Sequence, residues 1–164
     1  MNEDLEGRLD PRIKAVWRIS DALAILIAFV CLLPIGLFPW LLDEPSRFWA
    51  GPYLIVLAIV FIGALAVFLL VISPLRYVRW RYSLQPEFLE IKKGIFWRTH
   101  TVVPFVRVQN TDTKQGPILR AFGLASVTVS TAAGSMEIPG LRADEADAVR
   151  DRAAEFARIA REDV

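Results

Sequence analysis

The sequence predicts an α+β membrane protein: an N-terminal two-helix transmembrane hairpin, then a small antiparallel β-sheet or partial barrel capped by a C-terminal α-helix. Three observations predict it. Two long uncharged apolar runs stand near the start, strand-like alternation begins after Arg79, and a charged, alanine-striped helical segment closes the chain. The 164 residues are 54% apolar with a mean hydropathy of +0.40, too apolar for an ordinary soluble domain and too few for several domains. Nineteen Lys and Arg against eighteen Asp and Glu leave a net charge of +1, so no global field draws the molecule to nucleic acid. The one cysteine, Cys31, lies in an apolar run, which excludes an intramolecular disulfide and a thiolate metal cage and suggests a packing role.

The first run, Ala22 to Leu42, and the second, Tyr53 to Ile72, are each long enough to span, because about 20 residues rising 1.5 Å apiece cover a hydrocarbon core of roughly 30 Å. The first exceeds the length of a signal-peptide core and no A-x-A pattern follows it, so it reads as a retained span. Pro34, Gly36 and Pro39 are expected to loosen its outer end, and the second span to be straighter. Arg8, Arg12, Lys14 and Arg18 precede the spans and Arg76, Arg79 and Arg81 follow them, whereas the connection DEPSRFWAGP holds only Arg47. That bias predicts a multi-pass protein of the bacterial inner (plasma) membrane with both termini cytoplasmic. Trp40, Trp49 and Tyr53 then fit the outer interface, and Trp17, Tyr77, Trp80 and Tyr82 the inner one. Asp21, beside Ser20, reads as an interfacial helix start. The predicted division is 1–79 for tail and hairpin and 80–164 for the second domain.

Pro74 is expected to stop the second helix soon after the membrane. RYSLQ and FLEIKKG read as two strands joined at Gln85-Pro86-Glu87, with Leu89 and Ile91 on one face and Glu90 and Lys92 on the other. After a turn at Lys93-Gly94, IFWRTHTVVPFVRVQNTDTKQ reads as two strands broken near Pro104. GPILRAFGL is a connecting turn of helix. FGLASVTVSTAAGSMEIPGL follows as a half-buried hairpin, with Val127 and Val129 inward and Ser126, Thr128 and Ser130 outward. ADEADAVRDRAAEFARIAR closes the chain as a helix whose stripe is Ala146, Val149, Ala153, Phe156 and Ala160.

From about Trp80 to Phe156 the segments YSLQPEFLEIKKGIF, VVPFVRVQNTDTKQGPILRAFGLASVTVSTAAG and EIPGLRADEADAVRDRAAEFA, behind two spans, resemble the membrane-flanked bacterial PH-like domain family. The resemblance implies a PH-like fold: a bent antiparallel sheet closed at one end by the C-terminal helix, here with Phe156 where many eukaryotic PH domains place a tryptophan. One departure bears on function. Eukaryotic relatives that hold inositol phosphates use basic residues around the first hairpin loop, and here that loop is Gln85-Pro86-Glu87.

Candidate sites are few. Lys92, Lys93 and Arg98 stand beside Ile95, Phe96 and Trp97, a patch able to touch anionic lipid headgroups at about 1 kcal/mol per cation; the plainer reading is a solvated turn over a core aromatic. Arg107, Gln109 and Asn110 form a polar set for edge-strand recognition of a partner or for cross-strand hydrogen bonding. Ser20, Ala24 and Ala28 on the first span, and Gly63 and Ala66 on the second, are small residues suited to helix packing, within the hairpin or against another subunit. His100, the only histidine, reads as an exposed strand residue, and the H-E-x-x-H, G-x-S-x-G, G-x-x-x-x-G-K-[ST] and G-x-G-x-x-G motifs are missing. No catalytic residue, metal or cofactor is therefore expected. The expected function is a non-enzymatic, membrane-anchored scaffold or regulatory subunit of a membrane assembly. Its partners would be the lipid bilayer and a homo-oligomer or another membrane protein, with no nucleic acid. The alternative is a lipid- or peptide-binding accessory subunit for export or envelope-stress tolerance, as the resemblance suggests.

Overall fold

The computed structural model describes residues 7–42 and 44–162. The chain forms two compact units, one of residues 17–74 and one that joins the residues up to Val16 with those from Leu75 onward. The division by packing thus differs from a boundary at 79/80, because the segment before the first span belongs with the sheets.

Among the described residues two helices are long and apolar enough to cross a membrane: α1 (Ile13–Leu42), and the run Arg47–Arg79 that opens as α2 (Arg47–Val67). Helix α1 begins well before Asp21: the Asp10 side chain accepts from the Arg12 N–H at 2.8 Å, so the cap lies there. Asp21 is mid-helix, not at a helix start. Helical geometry also continues through Pro34 and Pro39 to Leu42. The two helices meet closely where a side chain is missing. A Cβ at Gly36 would lie 2.3 Å from the Tyr53 ring, whose hydroxyl donates to the Leu32 carbonyl at 2.9 Å, and the Phe29 and Phe61 rings stack 4.4 Å apart.

The second span does not stop at Pro74. A wide π turn, Phe68–Ile72, leads into α3 (Ser73–Arg79). Ser73 donates its N–H five residues back, to Phe68, which takes the usual donor away from the Leu69 carbonyl; five residues on stands Pro74, which has no N–H to offer. The Arg18 guanidinium fills the gap, donating to Leu69 O at 3.1 Å. Proline is accommodated because a side chain from α1 replaces the missing backbone donor.

The other unit holds two three-stranded antiparallel sheets, β1-β2-β3 and β4-β5-β6. The strands are β1 (Arg81–Leu84), β2 (Phe88–Lys93), β3 (Thr99–Pro104), β4 (Val108–Lys114), β5 (Leu124–Thr131) and β6 (Gly134–Arg142). Pro104 ends β3 and a single 3₁₀ turn, Phe105–Arg107, carries the chain into the second sheet. Helix α4 (Pro117–Ala121) links β4 to β5, and α5 (Ala143–Glu162) lies on β4, β5 and the 3₁₀ turn. Leu89 and Ile91 are buried as the alternation predicts. Within the hairpin β5–β6, however, strand β5 is not half-buried: Ser126 and Thr128 are buried along with Val127 and Val129, so both its faces are covered, whereas β6 keeps Glu137 exposed and Ile138 buried. Ser126 donates to the Lys114 carbonyl at 3.4 Å. Phe105 is fully buried with its ring 5.5 Å from that of Phe156, which joins the start of sheet two to the last turns of α5.

Residues 7–16 complete this core. Gly7 exchanges backbone hydrogen bonds with Tyr82, the Asp10 N–H donates to Gly140 O at 2.9 Å, and Leu9, Ile13 and Val16 are buried. Two glycines make the approach possible: a Cβ at Gly7 would meet the Tyr82 ring at 2.6 Å, and one at Gly140 would meet Ile13 at 2.4 Å. Tyr82 is therefore a core residue beneath this segment rather than an interfacial anchor. Burial, and then the Glu145 carboxylate that accepts from it, push its phenol up to about 12.

Candidate functional site

Three places gather polar or exposed side chains. The first is the solvent face of β2 and β3. Register places Lys92 opposite His100 and Glu90 diagonally across, so the Glu90 carboxylate takes Lys92 Nζ at 3.1 Å and His100 Nε2 together. Burial opposes the charged form of Glu90, yet these two hydrogen bonds outweigh it and hold the carboxyl below its ordinary value. His100 is exposed, as its strand position predicts, and the spacing of Glu90, Lys92 and His100 in sequence carries the signal for this cluster: same-face positions on two adjacent strands. Among the described residues no group of three or more His, Cys, Asp or Glu side chains converges as metal ligands would.

The second place is the turn between β2 and β3. Gly94 adopts φ +115°, and any Cβ there would fall 1.8 Å from the Trp97 carbonyl oxygen, so the five residues after Lys93 fold back tightly on themselves. This throws Phe96 and Trp97 outward, 81% and 87% exposed. The reading of a turn over a core aromatic is overturned: Ile95, Phe96 and Trp97 belong to no strand. Lys93 reaches back over the Trp80 ring at 5.4 Å. Lys92, Lys93 and Arg98 line one cleft of about 500 Å³ with Arg79 and Arg81, so the structure brings together the three cations singled out in the sequence and adds two more. A neighbouring hollow of about 360 Å³ is bounded by Arg76, Trp80, Phe96 and Trp97.

The third is a groove of about 590 Å³ between the start of β4, the β5–β6 turn at Thr131–Ala133 and Arg161 of α5. Arg107 and Gln109 line it; Asn110 does not. The Asn110 side chain donates instead to Asp112 at 2.8 Å and accepts from the Thr111 N–H, so its side-chain bonding runs along its own strand and not across to β5. The ladder slips at this point: Val108 faces Thr131 and Asn110 faces Ser130, leaving Gln109 as the extra residue of a bulge on an edge strand. Arg161, which the sequence reading missed, lines the same groove, and its Nε donates to Ala157 O at 2.9 Å.

On the spans, Ala28 lines a 190 Å³ apolar hollow between α1 and α2 with Phe29, Leu32, Phe61 and Ala64. Ser20, Ala24, Gly63 and Ala66 are exposed within this chain, and nothing lies within 4 Å of a Cβ built at Gly63. Cys31 is also exposed within this chain.

Two apolar spans, two orthodox antiparallel three-stranded sheets and a capping helix define the class. The chain matches the bacterial PH domain family over residues 12–157 and belongs to it. It is 37% identical over 166 residues to the UPF0699 transmembrane protein YdbS of Bacillus subtilis (strain 168), with the whole of both chains covered. No solved structure matches it. The molecule is thus a membrane protein that carries a bacterial PH domain.

Proposed function

We propose that this protein is a non-enzymatic scaffold or regulatory subunit of a membrane assembly in the plasma membrane, which docks a segment of a membrane-protein partner or of a second copy in the groove beside β4. The observation that carries the reading is the bulge at Gln109 on an edge strand, set between Arg107 and Arg161. A bulge frees backbone donors and acceptors from the ladder, an edge strand can accept an added strand, and two guanidiniums favour an acidic partner segment. The small exposed positions Ser20, Ala24, Gly63 and Ala66 supply a matching contact within the bilayer. His100 serves here as a cross-strand partner of Glu90, not as a base.

The test is site-specific photo-crosslinking in native membranes, with the probe at Val106 or Ala132, both exposed on the groove rim. A discrete crosslinked protein band that disappears with Arg107→Glu plus Arg161→Glu supports the reading. A probe that captures only lipid, or nothing, on a folded protein would sink it.

A further inference from the structure

We propose that the β2–β3 turn is a membrane-inserting tip: Phe96 and Trp97 enter the interfacial layer of the leaflet that the sheet unit faces, while Arg79, Arg81, Lys93 and Arg98 hold the phosphates of anionic lipids. The inference is separate from the groove reading and uses none of its residues.

Four of the five tryptophans stand at positions expected of interface anchors, at the ends of the spans or just beyond them; Trp97 is the one outside that pattern, and it is 87% exposed. A soluble surface has no use for adjacent Phe and Trp side chains at such exposure, whereas amphipathic rings at headgroup depth are in their preferred solvent. The tip is built rather than loose. Gly94 at φ +115° backs directly onto the Trp97 carbonyl, and Lys93 is held over Trp80. A turn fixed in this way holds its rings out with little left to order on contact.

Charge complementarity names the occupant. Among the described residues the cleft under the tip is lined by five cations and no acid; Lys92 is paired with Glu90, which leaves Arg79, Arg81, Lys93 and Arg98 to meet an outside anion. Such a cluster seeks a polyanionic surface, and the chain keeps one within reach. Arg79 follows Ile72, the last residue of the apolar run, by seven residues, so even fully extended chain carries it no farther than about 25 Å from the hydrocarbon edge. Arg79 lines the same cleft as Arg98. The site also lies away from the β1–β2 loop Gln85-Pro86-Glu87, so it is a different surface from the one inositol-phosphate-binding relatives use.

The test uses the full-length protein in nanodiscs, with Cys31→Ser and an environment-sensitive fluorophore on Phe96→Cys; both positions are exposed, so neither change disturbs the core. A control probe sits at Ser135→Cys in the exposed β5–β6 turn. In discs rich in phosphatidylglycerol, lipids carrying a nitroxide just below the headgroup should quench the Phe96 probe several-fold more strongly than they quench the control, and aqueous iodide should quench it less. Phosphatidylcholine discs should weaken the lipid quenching, as should raised salt or Lys93→Glu with Arg98→Glu, because the attraction is screened within a Debye length. Iodide quenching at Phe96 equal to that at Ser135 makes the turn a solvated loop and overturns the proposal. Protection from both quenchers means that protein covers the tip, and overturns it equally. Loss of the Val106 crosslink leaves this result untouched, so the two readings fail separately.

Discussion

Replacing Gly140 by alanine tests the packing of the N-terminal segment on β6 with a quantitative sign. Gly140 has φ +64°, so alanine there pays a left-handed backbone penalty of about 1–2 kcal/mol. Its new Cβ would also lie 2.4–2.6 Å from Cγ1, Cβ and Cδ1 of Ile13, and forcing a methyl into so filled a space costs a further 1–3 kcal/mol, roughly. Ile13→Ala alone empties a fully buried site at about 2–5 kcal/mol. Combined, the two changes should not add. Alanine at 13 removes two of the three crowding atoms, so the double variant should be more stable than the sum by about 1 kcal/mol or more, within the range found for residues in contact. Pulse proteolysis across a urea series reads the folded fraction of the sheet unit while detergent shields the spans. Additivity within about 0.5 kcal/mol would refute the contact, and with it the assignment of residues 7–16 to the sheet unit.

A pH prediction follows from Tyr82, whose phenol is raised from 10 to about 12 by burial and by Glu145. The neutral form is favoured in the folded state, so its stabilisation is complete below pH 10 and drains away as pH rises toward 12; Tyr82→Phe should flatten the stability profile over that window, and phenolate absorbance of the wild type should show one late-titrating tyrosine. Topology is checked by an impermeant thiol reagent on intact cells carrying Cys31→Ser: a cysteine at Ser46 should be labelled and one at Ser135 should not, and the reverse pattern would discard the cytoplasmic placement. For association in the bilayer, Ala24→Leu should lower the assembly order on native gels with the sheet unit still folded, whereas Ala28→Leu, which fills part of the apolar hollow between α1 and α2, should leave that order unchanged.

What the sequence disclosed tracks the range of the physics. The spans are local statements of length and polarity, and Leu89 and Ile91 alternate with Glu90 and Lys92 on a strand with one face covered, so period alone reveals them. Ser126 and Thr128 deceive because alternation reports polarity, not what packs over a face; on β5 both faces are covered whatever they carry. The π turn at Phe68–Ile72 depends on Arg18, fifty-one positions from Leu69, and no window of local pattern contains both. The β2–β3 turn is legible in part: the sequence marks its basic and aromatic residues, but not that Phe96 and Trp97 stand outside the core. Ile95, Phe96 and Trp97 look like the start of a strand, and only the backbone at Gly94 turns them outward; three large apolar residues in a row directly after a glycine turn, with no alternation, were the available hint. In the candidate groove Arg107 and Gln109 could be named from their strand context, but Arg161 joins them from the far end of α5, a pairing that only tertiary structure creates.

Because residues 7–16 pack in the same core as β1 and β6, the unit is sewn from chain on both sides of the hairpin. Its first stitch is synthesised before the membrane is entered and its last after the membrane is left. A nascent chain that inserted one span instead of two would strand Gly7 to Val16 across the bilayer from Tyr82 and Gly140, leaving Leu9 and Ile13 with no core to enter. The parity of membrane crossings is thereby written into whether a water-exposed domain can close, and misinsertion becomes visible to a protease as an unfinished fold.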